Sequence, residues 1–257
     1  MTPNRGGQLP VPSGKGLADS ARLRARGSSS PKALRTSSIH LVNEIVDRIE
    51  IGVLFGEFKP REHLVQDQLA ARYGVERNVI RAALKKLEER SVIEHFPNRG
   101  ALVKEMTAKN AKDLYQLRFL VESQAAEIAA VRITPQIIRQ LEALNEEMKK
   151  NLKKGELRGF TLAHEKFHQR IFETADNSYL LKAIKDLRSA SASIRNFSYS
   201  RYSLADTKNQ LFDEHRRMIK YLEEGKVEEA GEVARVHIKA GLNHYLRNFF
   251  PQEPLVD

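Results

Sequence analysis

The chain has 257 residues, 43 Lys and Arg against 33 Asp and Glu, a formal net charge of +10 and no cysteine. That length allows one large domain or two small ones with a genuine core, and 41% hydrophobic with 30% charged residues is an ordinary soluble composition, neither collagen-like nor fully disordered. Without cysteine there is no disulfide, Cys-zinc finger, iron–sulfur cluster or thiol nucleophile. No apolar run approaches the ~20 residues that span a bilayer. The N-terminus lacks the apolar core of a signal peptide, so a cytoplasmic location is expected.

The charge is uneven. Residues 1–38 hold seven basic residues and one acid, Asp19, in a stretch rich in Gly, Ser and Pro without an aromatic residue. Such a segment buries too little apolar surface to offset its ordering entropy and reads as a disordered basic leader. It is either a solvated leader or an arm that adds non-specific attraction to DNA phosphates.

Residues 39–104 read as the first folded unit. Leu41, Val42, Ile45, Val46 and Ile49 recur at spacings of three and four, which predicts an amphipathic helix over Ile39–Ile51. The run Gly52–Gly56 and Pro60 break it. Short helices are expected at about Val65–Tyr73 and Glu76–Glu89, with Gly74 supplying a positive φ in the turn between them. Ala70 is small enough to let the two helices approach, and Ile80 fills the pocket between them. That spacing is the spacing of a helix-turn-helix. The outward face of the second helix begins Arg77-Asn78 and continues through Arg81 and Lys85. Arginines there either reach base edges in a major groove or form a solvated basic face. Val92–Phe96 reads as a strand, Pro97-Asn98-Arg99-Gly100 as a tight turn and Ala101–Val103 as a returning strand. A hairpin directly after a helix-turn-helix is a wing whose tip, Arg99, could enter a minor groove.

The stretch from Gly56 through Leu84, with Lys-Lys-Leu-Glu-Glu and Pro-Asn-Arg-Gly after it, resembles the winged helix-turn-helix of the GntR family of bacterial transcription regulators. The resemblance covers residues 41–104. It implies that Arg77 and Arg81 are the recognition-helix arginines and that Asn98-Arg99-Gly100 is the wing tip. Glu76 stands where the family usually has Ser or Thr, Asn78-Val79 where it has Thr-Pro, and Ser91 where a Gly usually precedes the wing.

Residues 105–257 read as six helices: Ala108–Val131, Thr134–Leu152, Leu157–Ala175, one from an Asn177 cap to about Phe197, Leu204–Glu223 and Val227–Phe249. Leu114, Leu117, Leu120, Val121, Ala125 and Ile128 are the expected anchors of the first. Thr134-Pro135 makes a good N-cap and N1 pair. No strand pattern competes, so the fold class is mainly α: a winged helix-turn-helix followed by an antiparallel all-α bundle.

His164 and His168, at i and i+4, share a helix face, and His215 and His237 fall in two further helices. Four imidazoles on three antiparallel helices either converge on a metal or are scattered, singly bonded histidines. His164-Glu165-Lys166-Phe167-His168 also spells H-E-x-x-H, the zinc-protease signature with Glu165 as base. The third ligand such an enzyme needs is missing: Ile171 stands where a metzincin has Gly, and residues 186–188 match a thermolysin-like Glu poorly. An enzyme is therefore not expected.

The frame Phe167-His168, Asp176-Asn177, His215-Arg216 and Val236-His237-Ile238 is similar to the FCD domain of FadR-like GntR regulators. That resemblance implies a divalent metal held by an Asp and three His, with His168, His215 and His237 at the histidine positions. His164 stands at the Asp position. Four imidazoles in place of three and a carboxylate favour zinc or nickel over a hard, oxygen-seeking ion. Six helices point to the shorter, VanR-like variety. Arg118 matches a family arginine near the effector cavity, where it would take a carboxylate in a bidentate way or, instead, pair with Glu122 on the helix surface. Arg195 is a weaker candidate of the same kind. The expectation is a ligand-responsive regulator that acts as a homodimer on an inverted repeat of double-stranded DNA. A metallohydrolase and an architectural DNA-binding protein with a merely dimerising bundle are the alternatives.

Overall fold

The computed structural model describes residues 31–96, 100–200 and 205–256. The first thirty residues of the expected leader, the wing-tip residues Asn98 and Arg99 and the segment 201–204 lie outside the described residues.

Helix α1 spans Pro31–Leu54 and so starts eight residues ahead of the expected Ile39. Its face Val42, Ile45, Val46, Ile49 and Val53 is buried, as the three- and four-residue spacing requires. Helix α3 (Arg77–Glu89) packs against it and against α2 (Gln66–Tyr73). Gly74 closes α2 in the left-handed conformation, φ +66°, and its N–H donates to the Ala70 carbonyl. A Cβ there would meet nothing within 4 Å, so glycine is needed for the backbone and not for space. Ile80, Ala83, Leu84 and Leu87 of α3 fill the core below α1 and α2. Strands β1 (Ile93–Phe96) and β2 (Gly100–Val103) pair antiparallel, with Ile93 opposite Val103. The approach to α2 adds a short third rung: His63 bridges Leu102, and the Leu64 N–H donates to the Ala101 carbonyl at 2.9 Å. Ser91, at the expected glycine position before the wing, takes φ +58°.

The connection into the bundle is tied down. Met106 is buried, its carbonyl accepts from the Tyr245 hydroxyl at 3.1 Å, and the Thr107 hydroxyl caps the next helix on the Asn110 N–H. The bundle comprises α4 (Ala108–Arg132), α5 (Pro135–Lys153), α6 (Leu157–Thr174), α7 (Ser178–Ala190), α8 (Ala192–Ser200), α9 (Ala205–Glu223) and α10 (Val227–Phe249). Helix α10 lies along α4, whose contact face is lined by alanines. At Gly231 a Cβ would run into Glu127 of α4.

Two expectations need correction. Among the described residues the bundle has seven helices, because the helix expected over 177–197 divides at Ser191. There the Arg188 carbonyl accepts from the Ser191 hydroxyl (3.1 Å) and the Arg195 guanidinium (2.9 Å). The count therefore no longer favours the shorter family variety. Leu117 and Leu120, expected in the core of α4, are 53% and 60% exposed. The buried stripe of α4 instead runs through Ala111, Tyr115, Arg118, Glu122, Ala125 and Ala129.

Candidate metal centre and nucleic-acid interface

Helix α6 presents His164 and His168 one turn apart into the bundle core, where α9 brings His215 and α10 brings His237. All four are buried, and one ring nitrogen from each lies within 4.8 Å of the others. The His164 and His168 Nε2 atoms are 3.4 Å apart, close to the edge of a tetrahedron with ~2.0–2.1 Å metal–nitrogen bonds. Phe167 stacks on the His215 ring at 4.5 Å and fixes its plane. Burial, helped by the neighbouring imidazoles, holds the pKa values of His164, His168 and His215 well below the usual histidine value. Their folded form is the neutral, ligating one. His237 Nδ1 lies 2.8 Å from the Glu214 carboxylate, the outer-sphere contact that turns the other nitrogen of a ligating histidine towards a metal. Neither ring nitrogen of the fully buried His215 has a hydrogen-bond partner among the described residues. An unsatisfied buried imidazole is costly, and a cation among the four rings would remove that cost. The residues present thus fit a divalent metal. Of the remaining histidines, His95 lies 2.9 Å from Glu88 and His244 stacks on Phe197.

Beside the imidazoles is a cavity of about 40 Å3 lined by Arg118, Glu122, Arg188, Arg195 and Tyr199. Arg118 makes the ion pair with Glu122 at 2.6 Å, but in the interior: the side chains are 4% and 1% exposed. Its guanidinium also covers the Tyr115 ring at 4.4 Å. Arg195, the second expected effector residue, pairs with Glu165, whose carboxylate also accepts from the Tyr199 hydroxyl. Arg188, which the sequence does not single out, bridges Glu122 (3.2 Å) and Glu165 (2.9 Å). Nothing local marks Arg188, because its partners are 66 and 23 positions away. The protease reading fails at Glu165. Its carboxylate is taken up by Arg188, Arg195 and the Tyr199 hydroxyl, and the two arginines outweigh burial and hold its pKa far below the usual range, which makes it a weak base.

In the first unit Arg77, Asn78 and Arg81 are all exposed on α3. Arg77 opens the helix, and its guanidinium is held by Gln66 (3.1 Å) and Asp67 (3.4 Å) at the start of α2. Gly100, the last residue of the expected wing tip, is exposed at φ +74°. The departing residue Glu76 is the exposed N-cap of α3 and makes no side-chain cap bond.

Residues 41–103 match bacterial regulatory proteins of the gntR family, and residues 113–240 match the FCD domain. The chain is 28% identical over 202 residues to the HTH-type transcriptional regulator YdhC of Bacillus subtilis (strain 168), covering 78% of this chain and 87% of that one. It is 28% identical over 133 residues to the gluconate operon transcriptional repressor of the same organism, covering 51% and 54%. Its fold is similar to that of E. coli McbR/YncC, with a TM-score of 0.74 and 17% identity over 81% of this chain and 98% of that one. No helix among the described residues is long and apolar enough to cross a membrane.

Proposed function

From a chain that belongs to the GntR family of DNA-binding transcription regulators, carries an FCD domain and is not an enzyme, we propose a cytoplasmic repressor whose operator affinity is set by a small organic acid bound near a metal in the helical domain. The observation that carries the sensing half is the convergence of His164, His168, His215 and His237 beside a buried arginine cluster. Those four residues would hold zinc or nickel, since an all-imidazole set suits borderline ions. When bound, the ion supplies a Lewis-acidic point that attracts a carboxylate. Glu214 orients His237, Phe167 fixes His215, and Arg118, Arg188 and Arg195 supply the charge-assisted donors around the cavity.

The reading half rests on Arg77, Asn78 and Arg81 on α3, with the wing residues Asn98, Arg99 and Gly100. Two such units would read the halves of an inverted repeat, as two-fold protein symmetry requires. The exposed leucines Leu117 and Leu120 of α4 support a homodimer, because neighbouring apolar side chains left in water favour a partner surface. The repressor sense follows the gluconate operon repressor to which the chain is similar.

The test is elemental analysis with DNA binding. Purified wild-type protein is expected to carry about one divalent ion per chain and His168→Ala to lose most of it. Equal metal content in the two would overturn the site. Operator affinity that responds to neither chelator nor any carboxylate, with sequence preference retained, would favour an architectural DNA-binding role.

A further inference from the structure

The cavity beside the imidazoles has two unlike ends. One is cationic. Arg118 donates to Glu122 through Nε at 2.6 Å, and its two terminal nitrogens have no hydrogen-bond partner among the described residues. The other two guanidinium groups at the cavity are committed. Arg188 donates to Glu122 at 3.2 Å and to Glu165 at 2.9 Å, and Arg195 donates to Glu165 and to the Arg188 carbonyl. A guest carboxylate therefore finds one open guanidinium edge. A second carboxylate would be repelled by Glu122, which also lines the cavity.

The other end is apolar. Among the described residues that line the cavity, Ile238 of α10 is the one aliphatic side chain. It also lines a smaller space of about 10 Å3, on whose far side stand Ala126, Ile171, Phe172 and Met218. Ile238 thus stands, with Glu122 and His168, on the partition between the two spaces. Tyr115, Arg118, Tyr199 and Ile238 are each 6% exposed or less, so these walls are held in place by packing.

The room between the ends is small. At roughly 10–15 Å3 of free space per water, the cavity of about 40 Å3 takes roughly three waters. An acid of about two to three carbons fills that space. A longer chain would have to displace Ile238.

We propose that the effector is a short monocarboxylate and that Ile238 sets its length. The carboxylate meets the open edge of Arg118, and the alkyl end lies on Ile238. The proposal rests on the effector-controlled reading above and narrows its small organic acid to one class. One methylene too many or too few in a filled apolar pocket changes affinity by about 10–200-fold, so the length limit is sharp enough to measure.

The experiment is calorimetric titration of the full-length, zinc-loaded protein with acetate, propionate, pentanoate and succinate. Acetate or propionate is expected to bind at least about ten-fold more tightly than pentanoate or succinate. Ile238→Ala joins the two spaces and is expected to raise the affinity for pentanoate relative to acetate by about ten-fold or more. Ile238→Val, a smaller truncation, is expected to shift the same ratio in the same direction by less. The readout is the ratio, which a general loss of binding does not move. Pentanoate or succinate binding wild-type protein as tightly as acetate overturns the length limit while leaving effector control standing. An unchanged ratio in both variants overturns the role of Ile238. No binding of any of the four acids, with operator affinity unmoved by them, overturns the effector-controlled reading as well.

Discussion

Replacing Glu122 by Gln tests whether the polar interior holds the bundle together. The Glu122 carboxylate, 1% exposed, accepts from Arg118 Nε at 2.6 Å and lies 3.2 Å from an Arg188 nitrogen. At an effective dielectric of ~20 and a charge separation of ~4 Å, each pairing is worth about 4 kcal/mol before desolvation. Arg188 keeps Glu165 at 2.9 Å, so its loss is partly covered. Arg118 keeps only the face of Tyr115, so the cost falls mainly there. Stranding one buried guanidinium costs about 3–5 kcal/mol, and Gln retains an acceptor oxygen, which places the expected loss near 3 kcal/mol. Urea unfolding followed by circular dichroism at pH 7.5 measures it. Burial alone would raise the Glu122 pKa, but Arg118 and Arg188 outweigh it and hold the folded value below the usual carboxylate range. The ion-pair stability is therefore present above the unfolded pKa of about 4.5 and fades as pH falls through the folded value. The gap between wild type and variant should narrow below about pH 4.5. A loss under about 1 kcal/mol at pH 7.5, or a gap that grows on acidification, would refute the reasoning.

Other expectations are simpler to test. Arg77→Ala or Arg81→Ala should each cost roughly 1–3 kcal/mol of operator binding by fluorescence anisotropy at fixed salt, with relaxed base preference; operator and random duplex binding unchanged from wild type would remove α3 from the groove. Ser91→Gly should stabilise the first unit by about 0.5–1 kcal/mol, since relief of a left-handed L-residue (~1–2 kcal/mol) exceeds glycine's added chain entropy (~0.5–1 kcal/mol); an unchanged or lower urea midpoint counts against it. Leu120→Glu should shift the mass in light scattering towards the 29.3 kDa protomer, and an unaltered dimer would clear that face of α4 of any role in assembly.

Local signals were legible where one residue decides one conformation. Gly74 takes its left-handed turn, Asn177 caps α7 on the Leu180 N–H, and Thr134-Pro135 opens α5. Helical spacing put His164 and His168 on one face but left open whether His215 and His237 join them; the resemblance to the FCD domain supplied the set, and the fold brings the four rings together. What periodicity cannot supply is which face meets which neighbour. Leu117 and Leu120 fit an apolar repeat on α4, yet small alanines and the Arg118–Glu122 pair occupy its buried side. Arg118 and Glu122 are legible as an i, i+4 pair, but their burial comes from the helices packed on α4, chiefly α10, α6 and α7. The break at Ser191 carries neither Gly nor Pro. It depends on Arg195 reaching back to the Arg188 carbonyl, a contact that exists only once the core is assembled.

On the proposed reading, the buried charges would link a metal at the imidazoles to a carboxylate bound beside them. Arg118, Arg188 and Arg195 are balanced in number by Glu122, Glu165 and Glu214 around the imidazole cluster. Arg188 and Arg195 both disfavour a proton on His164, and Glu165 favours one, so these groups sense charge at the imidazoles. A divalent ion among them adds two positive charges to a low-dielectric region, where uncompensated charge costs several kcal/mol. A carboxylate near Arg195 lowers that cost, and by reciprocity the imidazoles bind a cation more tightly when the carboxylate is present. Couplings of this kind are typically about 1–3 kcal/mol. The direction is fixed by the residues: replacing Glu165 with a neutral side chain releases Arg188 and Arg195 for an external anion, whereas replacing either arginine leaves Glu165 itself as the nearest compensating charge.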